Sequence, residues 1–173
     1  MRNLVFIAVL LLGSAAAAET LSGKAAIVDG DTVKIGETTV HLYGIDAPEM
    51  DQFCNDKKGN RYNCGHVAMR RLFLYIGADP LNCIVRERWK DSSVAATCQV
   101  KSYFRRTENG ATRGELFDVA LEMVLTGHAF ADRTQAIDYD AAGESAQAKR
   151  LGLWSSTFEL PWVWRARRKG TRD

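Results

Sequence analysis

The chain has 173 residues, of which 46% are hydrophobic, 25% are charged and 9% are aromatic. This length is enough for one domain with a real core and too short for two. Lys and Arg number 23 against 21 Asp and Glu, so the formal net charge of +2 does not by itself identify a partner.

The first eighteen residues have the pattern of a secretory signal peptide. Arg2 precedes an apolar run over residues 4–12, and small residues continue to Ala18. The apolar run is too short to span a bilayer comfortably, and the Ala-x-Ala sequence that ends at Ala18 is a good cleavage site. A retained membrane anchor is the alternative. We predict a periplasmic or secreted protein, without membrane attachment after cleavage, that has one domain over 19–158 and a basic tail over 159–173.

Three β runs follow, over residues 21–28, 32–35 and 38–45. Gly30 and Gly36 lie in the two connections, and glycine tolerates the backbone angles that tight turns need. We therefore predict a three-stranded meander.

Four carboxylates lie close together around this meander. Asp29 and Asp31 stand on either side of one glycine, and Asp46 and Glu49 stand on either side of Ala-Pro. Each motif alone is typical of an ordinary turn. Together they place two acidic turns at the ends of neighbouring strands, which is how a hard cation such as Ca²⁺ or Mg²⁺ is usually held.

The polar segment 46–63 comes next, and we predict that it is a mobile loop close to the acidic turns. Its basic residues are Lys57, Lys58 and Arg61. Such residues are typical of a solvated loop, and contact with phosphate is the alternative.

Four cysteines accompany the export signal: Cys54, Cys64, Cys83 and Cys98. They contain no Cys-x-x-Cys pair, and His66 does not complete a zinc spacing, so we do not expect a metal cluster. Four cysteines allow three disulfide pairings. We favour Cys54 with Cys64 and Cys83 with Cys98, because each pair closes a short loop. Disulfides imply an oxidising compartment.

The second half of the chain alternates helices and strands. The predicted elements are a helix over 64–76, strands over 81–89 and 95–104, a polar excursion over 105–114, and helices over 118–125 and 139–151. Five strands, with a meander first and a helix before the fourth, predict an α+β fold built on a five-stranded OB-type barrel with about three helices.

The C-terminal segment 159–173 combines aromatic and basic residues. They are Trp162, Trp164, Arg165, Arg167, Arg168, Lys169 and Arg172. A frayed, solvated terminus is the favoured interpretation, and a surface for nucleic acid or acidic polysaccharide is the alternative.

The order Asp-Gly-Asp-Thr, strand, Ile-Asp-x-Pro-Glu resembles the staphylococcal nuclease (thermonuclease) family, and the resemblance extends over roughly residues 21–158. It implies Ca²⁺-dependent hydrolysis of phosphodiester bonds in DNA or RNA. It also implies that Asp31 and Asp46 bind the Ca²⁺ and that Glu49 assists the attacking water.

The chain departs from this family at its two catalytic arginines. His41 stands at the first position, where an imidazole with an ordinary pKa near 6.5 lacks the planar fork that grips phosphate. The register of the fifth strand places Ser93 at the second position, and Arg113 folding back over the site is the other candidate. Alternation along the strand puts His41 and Asp46 on opposite faces unless the chain turns after Ile45.

Two classes of function follow. The first is an exported Ca²⁺-dependent nuclease with weak turnover, in which His41 and a relocated arginine replace the usual pair. The second is a catalytically weak or silent envelope module that assists exopolysaccharide (succinoglycan) biosynthesis. This family includes small exported proteins of that pathway in rhizobia, and the chain is similar to them in size and layout. The expected partner is nucleic acid in the first class and acidic polysaccharide or envelope proteins in the second. A monomer is expected in both.

Overall fold

The computed structural model describes residues 17–101 and 114–170. The strands are β1 (Thr20–Gly23), β2 (Ala25–Ile27), β3 (Thr32–Ile35), β4 (Thr38–Leu42), β5 (Ile45–Asp46), β6 (Phe53–Asn55), β7 (Arg61–Asn63), β8 (Leu81–Arg88), β9 (Val94–Lys101), β10 (Leu116–Asp118) and β11 (Phe130–Ala131). The helices are α1 (Cys64–Ile76), α2 (Val119–Leu125), α3 (Asp140–Ala148) and α4 (Pro161–Gly170), with a 3₁₀ turn over Gly152–Ser155.

Seven strands form one curled sheet. Six of them follow the order β1-β8-β9-β4-β3-β2, and β10 also pairs with β9. β1 and β2 lie at the two ends of this order, although only Lys24 separates them in the chain. The sheet edges therefore meet at Lys24 and make a nearly closed barrel. The predicted α+β class with an OB-type barrel is confirmed, and the described residues contain four α-helices where the sequence predicts about three.

The predicted run 21–28 is two strands rather than one. β1 pairs with β8, whereas β2 pairs with β3. One straight strand cannot pair with both β8 and β3, which lie near opposite edges of the sheet, so the chain bends between β1 and β2. Gly23 lies at the bend, where a Cβ would come within 3.0 Å of Cγ2 of Ile35.

Helix α1 forms where the four-residue repeat predicts it. Ala68, Leu72 and Ile76 are at most 1% exposed and pack in the main core with the barrel strands. The Asn63 side chain accepts a backbone N–H of the first turn at 2.8 Å, and Gly77 ends the helix with φ of 61°. The cap and the glycine together set the bounds of the helix.

Both predicted disulfides are present. Cys54 is bonded to Cys64 with a Cα–Cα distance of 5.7 Å, and Cys83 is bonded to Cys98 at 4.1 Å. The second pair joins directly opposed positions on β8 and β9. Two buried disulfides are typical of a protein from an oxidising compartment.

The prediction of a mobile loop over 46–63 is wrong. β6 and β7 form a hairpin, and the Cys54–Cys64 disulfide ties this hairpin to the start of α1. Gln52 is fully buried ahead of the hairpin. Its Nε2 donates to the Glu159 carbonyl at 2.6 Å, and its Oε1 accepts the Glu49 N–H at 3.2 Å. Glu49 is therefore backed by an ordered segment.

The predicted frayed terminus is also wrong over residues 161–170, which form α4. Pro161 is buried, and the Trp162 ring lies edge to face against Phe130 with centroids 6.2 Å apart. Arg167 pairs with Glu159 at 2.8 Å. The Trp162 contact packs α4 against β11, and the Arg167 pair joins the helix to the segment just before it.

Several sequence predictions fall outside the described residues. They are most of the signal peptide over 1–18, the end of the predicted strand over 95–104, almost all of the polar excursion over 105–114 with the candidate Arg113, and Arg172. Within the described ranges, no helix has the length and apolar character needed to cross a bilayer.

Candidate functional site

Asp31 lies in the turn between β2 and β3, at the floor of a cavity. One carboxylate oxygen accepts the Ala47 N–H at 2.6 Å, and the other accepts the Thr32 hydroxyl at 2.9 Å. Protein surrounds the carboxyl on most sides, although the residue keeps some surface toward the cavity. Burial raises the pKa of Asp31 well above its ordinary value, and the Asp29 and Asp46 carboxylates raise it further against the opposing Ala47 hydrogen bond.

Asp46 and Glu49 share a guanidinium from the far end of the chain. Arg165 on α4 donates from Nη1 to Asp46 Oδ1 at 2.8 Å and from Nη2 to Asp46 Oδ2 at 2.7 Å. Nη1 also donates to Glu49 Oε1 at 2.8 Å. The hydrogen bonds to Asp46, aided by the one to Glu49, raise the pKa of Arg165 against the lowering effect of burial. This is a bidentate ion pair of the strong, geometrically specific kind.

Two glycines allow the acidic turns to come together. A Cβ on Gly30 would lie 2.7 Å from Cβ of Ala47 and 2.8 Å from Cβ of Ala68. A Cβ on Gly65 would collide with the Glu49 carbonyl. Side chains at these positions would separate the two turns from each other and from α1, so the site depends on glycine for close approach.

His41 lies on β4 directly opposite Thr32. Its Nδ1 is 3.1 Å from the Thr32 hydroxyl oxygen, and its ring centroid is 4.7 Å from that of Trp89. Burial lowers the pKa of His41, against the opposing effect of the Asp29 and Asp91 carboxylates. The imidazole is therefore mostly neutral at pH 7 and is a poor substitute for a guanidinium.

His41 and Asp46 line the same cavity, and the chain turn that allows this is not where the sequence suggests. β4 ends at Leu42 rather than at Ile45. The turn that follows contains Gly44 with φ of 80°, so the chain changes direction before Ile45 and not after it. The turn interrupts the strand alternation that would have separated the two side chains.

The cavity has a volume of about 300 Å³ and is strongly acidic. Its charged and titratable lining residues are Asp29, Asp31, Asp46, Glu49, Asp132, His41 and Arg165. Thr32, Leu42, Ile45, Trp89 and Gln135 complete the wall. Five carboxyl groups thus face one guanidinium, which leaves an excess of negative charge for a further cation.

Ser93 does not join this cavity. It precedes β9, and its hydroxyl donates to Asp91 at 2.6 Å. It lines a neighbouring cavity of about 320 Å³, and His41 contributes to the walls of both. The other second-arginine candidate, Arg113, lies outside the described residues. The cavity thus contains the predicted Asp31, Asp46, Glu49 and His41, and its guanidinium comes from elsewhere.

The donors of the cavity fit Ca²⁺ in kind, because they are carboxylate oxygens. They are not arranged as a ready metal cage, since the described residues contain no cluster of three or more His, Cys, Asp or Glu side chains placed to hold a metal ion. Arg165 occupies both oxygens of Asp46 and one of Glu49. A metal at Asp31 and Asp46 would compete with this guanidinium.

Sequence reasoning missed Arg165 as a site residue. A local signal for its helix exists, because Pro161 is favoured at the first helical position and no helix breaker follows before Gly170. No local signal connects Arg165 with Asp46, which is 119 residues away in the chain.

Comparison with known proteins identifies a relative of this chain. No protein-family model matches the sequence. The chain is 30% identical over 157 residues to the succinoglycan biosynthesis protein ExoI of Rhizobium meliloti (strain 1021), and the match covers 90% of this chain and 75% of that protein. The chain therefore belongs to the family of the succinoglycan biosynthesis protein ExoI.

Proposed function

We propose that the protein is an exported, Ca²⁺-dependent phosphodiesterase of the staphylococcal nuclease (thermonuclease) type, with slow turnover on single-stranded DNA or RNA. The observation that supports this proposal is the convergence of Asp31, Asp46 and Glu49 in one cavity. These are the residues of the two acidic turns that resemble the family motif. The paired disulfides support export.

Each residue has a distinct role in the proposed reaction. Asp31 and Asp46 would hold Ca²⁺, which when bound would supply positive charge to the phosphate. Glu49 orients a water molecule and accepts its proton as the water oxygen bonds to phosphorus. The bond from phosphorus to the leaving oxygen breaks, and that oxygen takes a proton from solvent.

Slow turnover follows from the shortage of fixed cations. His41 is mostly neutral because burial lowers its pKa, and Ser93 carries no charge. Loss of one preorganised donor typically reduces the rate by about 10²–10³. Arg165 is bonded to carboxylates and does not replace these donors in this arrangement.

The hydrolysis of a fluorescent single-stranded oligonucleotide with Ca²⁺, and with Ca²⁺ removed by chelation, tests this proposal. Glu49→Gln should abolish a Ca²⁺-dependent rate. Asp51→Asn is the matched control, since Asp51 is a nearby carboxylate that pairs with Arg168 at 3.1 Å and does not line the cavity. A wild-type protein that binds Ca²⁺ and cleaves nothing would contradict hydrolysis.

A non-catalytic envelope module that assists exopolysaccharide biosynthesis is the second candidate. Two observations favour it: Arg165 occupies the carboxylates that a metal would need, and the similar protein from Rhizobium meliloti is a succinoglycan biosynthesis protein. Exopolysaccharide output of a deletion strain, complemented with wild type or with Glu49→Gln, separates the candidates. Full rescue by Glu49→Gln would favour the module.

A further inference from the structure

Among the described residues that line the cavity, Arg165 is the one permanent cation. It lies on α4, outside the barrel. We propose that Arg165 is the phosphate-binding arginine of this cavity and that, without metal, it is held on the carboxylates that a metal would bind. This inference rests on the proposed function, because it assigns a residue to the phosphate of that reaction.

The contacts of Arg165 leave part of its binding capacity unused. The hydrogen bonds found within the described residues use three of the five guanidinium N–H groups. The side chain is 41% exposed, whereas that of Asp46 is 10% exposed. The guanidinium thus lies at the cavity rim, where it can meet both a buried carboxylate and an incoming anion.

Helix α4 holds Arg165 at this rim through contacts other than those of Arg165 itself. Trp162 packs against Phe130, and Arg167 pairs with Glu159. The Glu159 carbonyl in turn accepts Nε2 of the buried Gln52. The helix therefore has anchors that do not depend on the carboxylate pair, so the guanidinium can change partners while its backbone stays in place.

The charge of the cavity determines when this change of partner is favourable. With five carboxyl groups and one guanidinium, the cavity repels a phosphate. A divalent cation on Asp31 and Asp46 reduces this excess negative charge by two and competes for the oxygens that bind Arg165. The freed N–H fork then matches phosphate oxygens, which guanidinium binds in a bidentate manner.

Removal of Arg165 should therefore have opposite effects on the two ligands. Calcium should bind more tightly, because its internal competitor is gone. A phosphodiester should bind more weakly at saturating Ca²⁺, because its guanidinium partner is gone. A residue with a merely structural role would weaken both ligands together when changed.

Isothermal titration of the full exported chain tests these opposite effects. The probes are Ca²⁺ alone, and a short single-stranded oligonucleotide with hydrolysis-resistant phosphorothioate linkages at saturating Ca²⁺. For Arg165→Met we expect the Kd for Ca²⁺ to fall at least about tenfold and the Kd for the oligonucleotide to rise at least about tenfold. Lys169→Met is the matched control, since Lys169 is an exposed cation on the same helix that does not line the cavity, and both constants should stay within about twofold.

Arg165→Lys keeps the test valid if Arg165→Met does not fold. An ammonium keeps the charge without the bidentate fork, so both constants should shift in the same directions by smaller factors. Unchanged Ca²⁺ binding, or weaker binding of both ligands, would overturn the inference and leave the proposed metal site intact. Absence of Ca²⁺ binding in wild type and in both Arg165 variants would overturn the proposed function and the inference together.

Discussion

The Thr32 hydroxyl connects two titratable side chains of the cavity, Asp31 and His41. The hydroxyl donates to Asp31, and the same oxygen lies 3.1 Å from Nδ1 of His41. Since the hydroxyl has one hydrogen and gives it to the carboxylate, its oxygen accepts the Nδ1–H of the imidazole. Burial lowers the pKa of His41 and raises that of Asp31, so the protein environment disfavours the charged form of both residues.

His41→Arg should restore a permanent cation to this wall of the cavity. We expect the rate of single-stranded DNA hydrolysis at pH 7 with Ca²⁺ to rise at least about tenfold, because a guanidinium stays charged and binds phosphate in a bidentate manner. Initial rates on a fluorescent oligonucleotide measure this gain. His41→Lys should gain less, and Glu49→Gln in the His41→Arg background should lose the gain. A folded, Ca²⁺-binding and inert His41→Arg protein would refute a latent nuclease site.

His128 gives the fold a pH dependence that is separate from the site. It follows α2 and is 8% exposed, and burial, with Arg71 nearby, lowers its pKa from 6.5 to about 4. Above pH 6.5 His128 is neutral in both the folded and the unfolded chain, and it does not reduce the free energy of unfolding. As the pH falls from 6.5 toward 4, the unfolded chain takes up a proton at His128 more readily than the folded chain does, so the free energy of unfolding decreases. The loss can reach about 3 kcal/mol of unfolding free energy.

His128→Gln should flatten this part of the stability profile. Urea unfolding of both proteins at intervals from pH 7.5 to pH 4 provides the measurement. The raised pKa of Asp31 acts in the opposite direction in both proteins, so it cancels in their difference. If the free energies of unfolding of the two proteins changed with pH in parallel, His128 would not be held neutral by the fold.

At the scale of elements, the segment of the β6–β7 hairpin and helix α4 both form hydrogen bonds to the acidic turn at Glu49 and hold it in position. Gln52, just before the hairpin, bonds both the Glu49 N–H and the Glu159 carbonyl that precedes α4. The Cys54–Cys64 disulfide attaches the hairpin to α1, the helix that presses against the Glu49 turn. One connected unit therefore positions Glu49 and Arg165.

Removal of the Cys54–Cys64 disulfide tests this support. The double variant Cys54→Ser/Cys64→Ser should lose about 2–3 kcal/mol of unfolding free energy, as expected for a short closed loop. It should also lower the rate of Ca²⁺-dependent hydrolysis, because the turn that positions Glu49 loses part of its support. Cys83→Ser/Cys98→Ser is the matched control, since it removes a bond between β8 and β9 and leaves the hairpin intact. Denaturant unfolding and initial hydrolysis rates of both variants measure the two effects, and equal hydrolysis rates would contradict the link.

At the scale of the whole molecule, the excess of negative charge in one cavity predicts stabilisation by Ca²⁺. A ligand that binds only the folded state stabilises it by mass action, by about 2.7 kcal/mol at a concentration of one hundred times Kd. We expect millimolar Ca²⁺ to raise the Tm of the wild type. Asp31→Asn should remove this increase and still fold, because the amide keeps an oxygen that can accept the Ala47 N–H.

Differential scanning calorimetry with Ca²⁺ and with a chelator measures this effect, and Asp51→Asn should behave like the wild type. An unchanged Tm of the wild type in millimolar Ca²⁺ would rule out a metal site at Asp31.

The local pattern of the chain determined the elements whose signals lie within a few residues. The four-residue repeat with its cap and glycine predicted α1, and alternation predicted the cores of β8 and β9. The short cysteine spacings predicted both disulfides, and the motif residues Asp31, Asp46 and Glu49 do line one cavity. The signals for α1, β8 and β9 follow a regular period. The disulfides close loops between cysteines 10 and 15 positions apart, and the acidic residues belong to a motif that resembles a known family.

Only the tertiary structure decided the rest. It divided the first strand at Lys24 and ordered the segment over 46–63. The turn at Gly44 brought His41 into the same cavity as Asp46. Helix α4 placed Arg165 on Asp46 and Glu49. These outcomes depend on barrel closure and on an ion pair between residues 119 positions apart. No local periodicity encodes such a contact, because a carboxylate and a guanidinium select each other only after folding has placed their elements side by side.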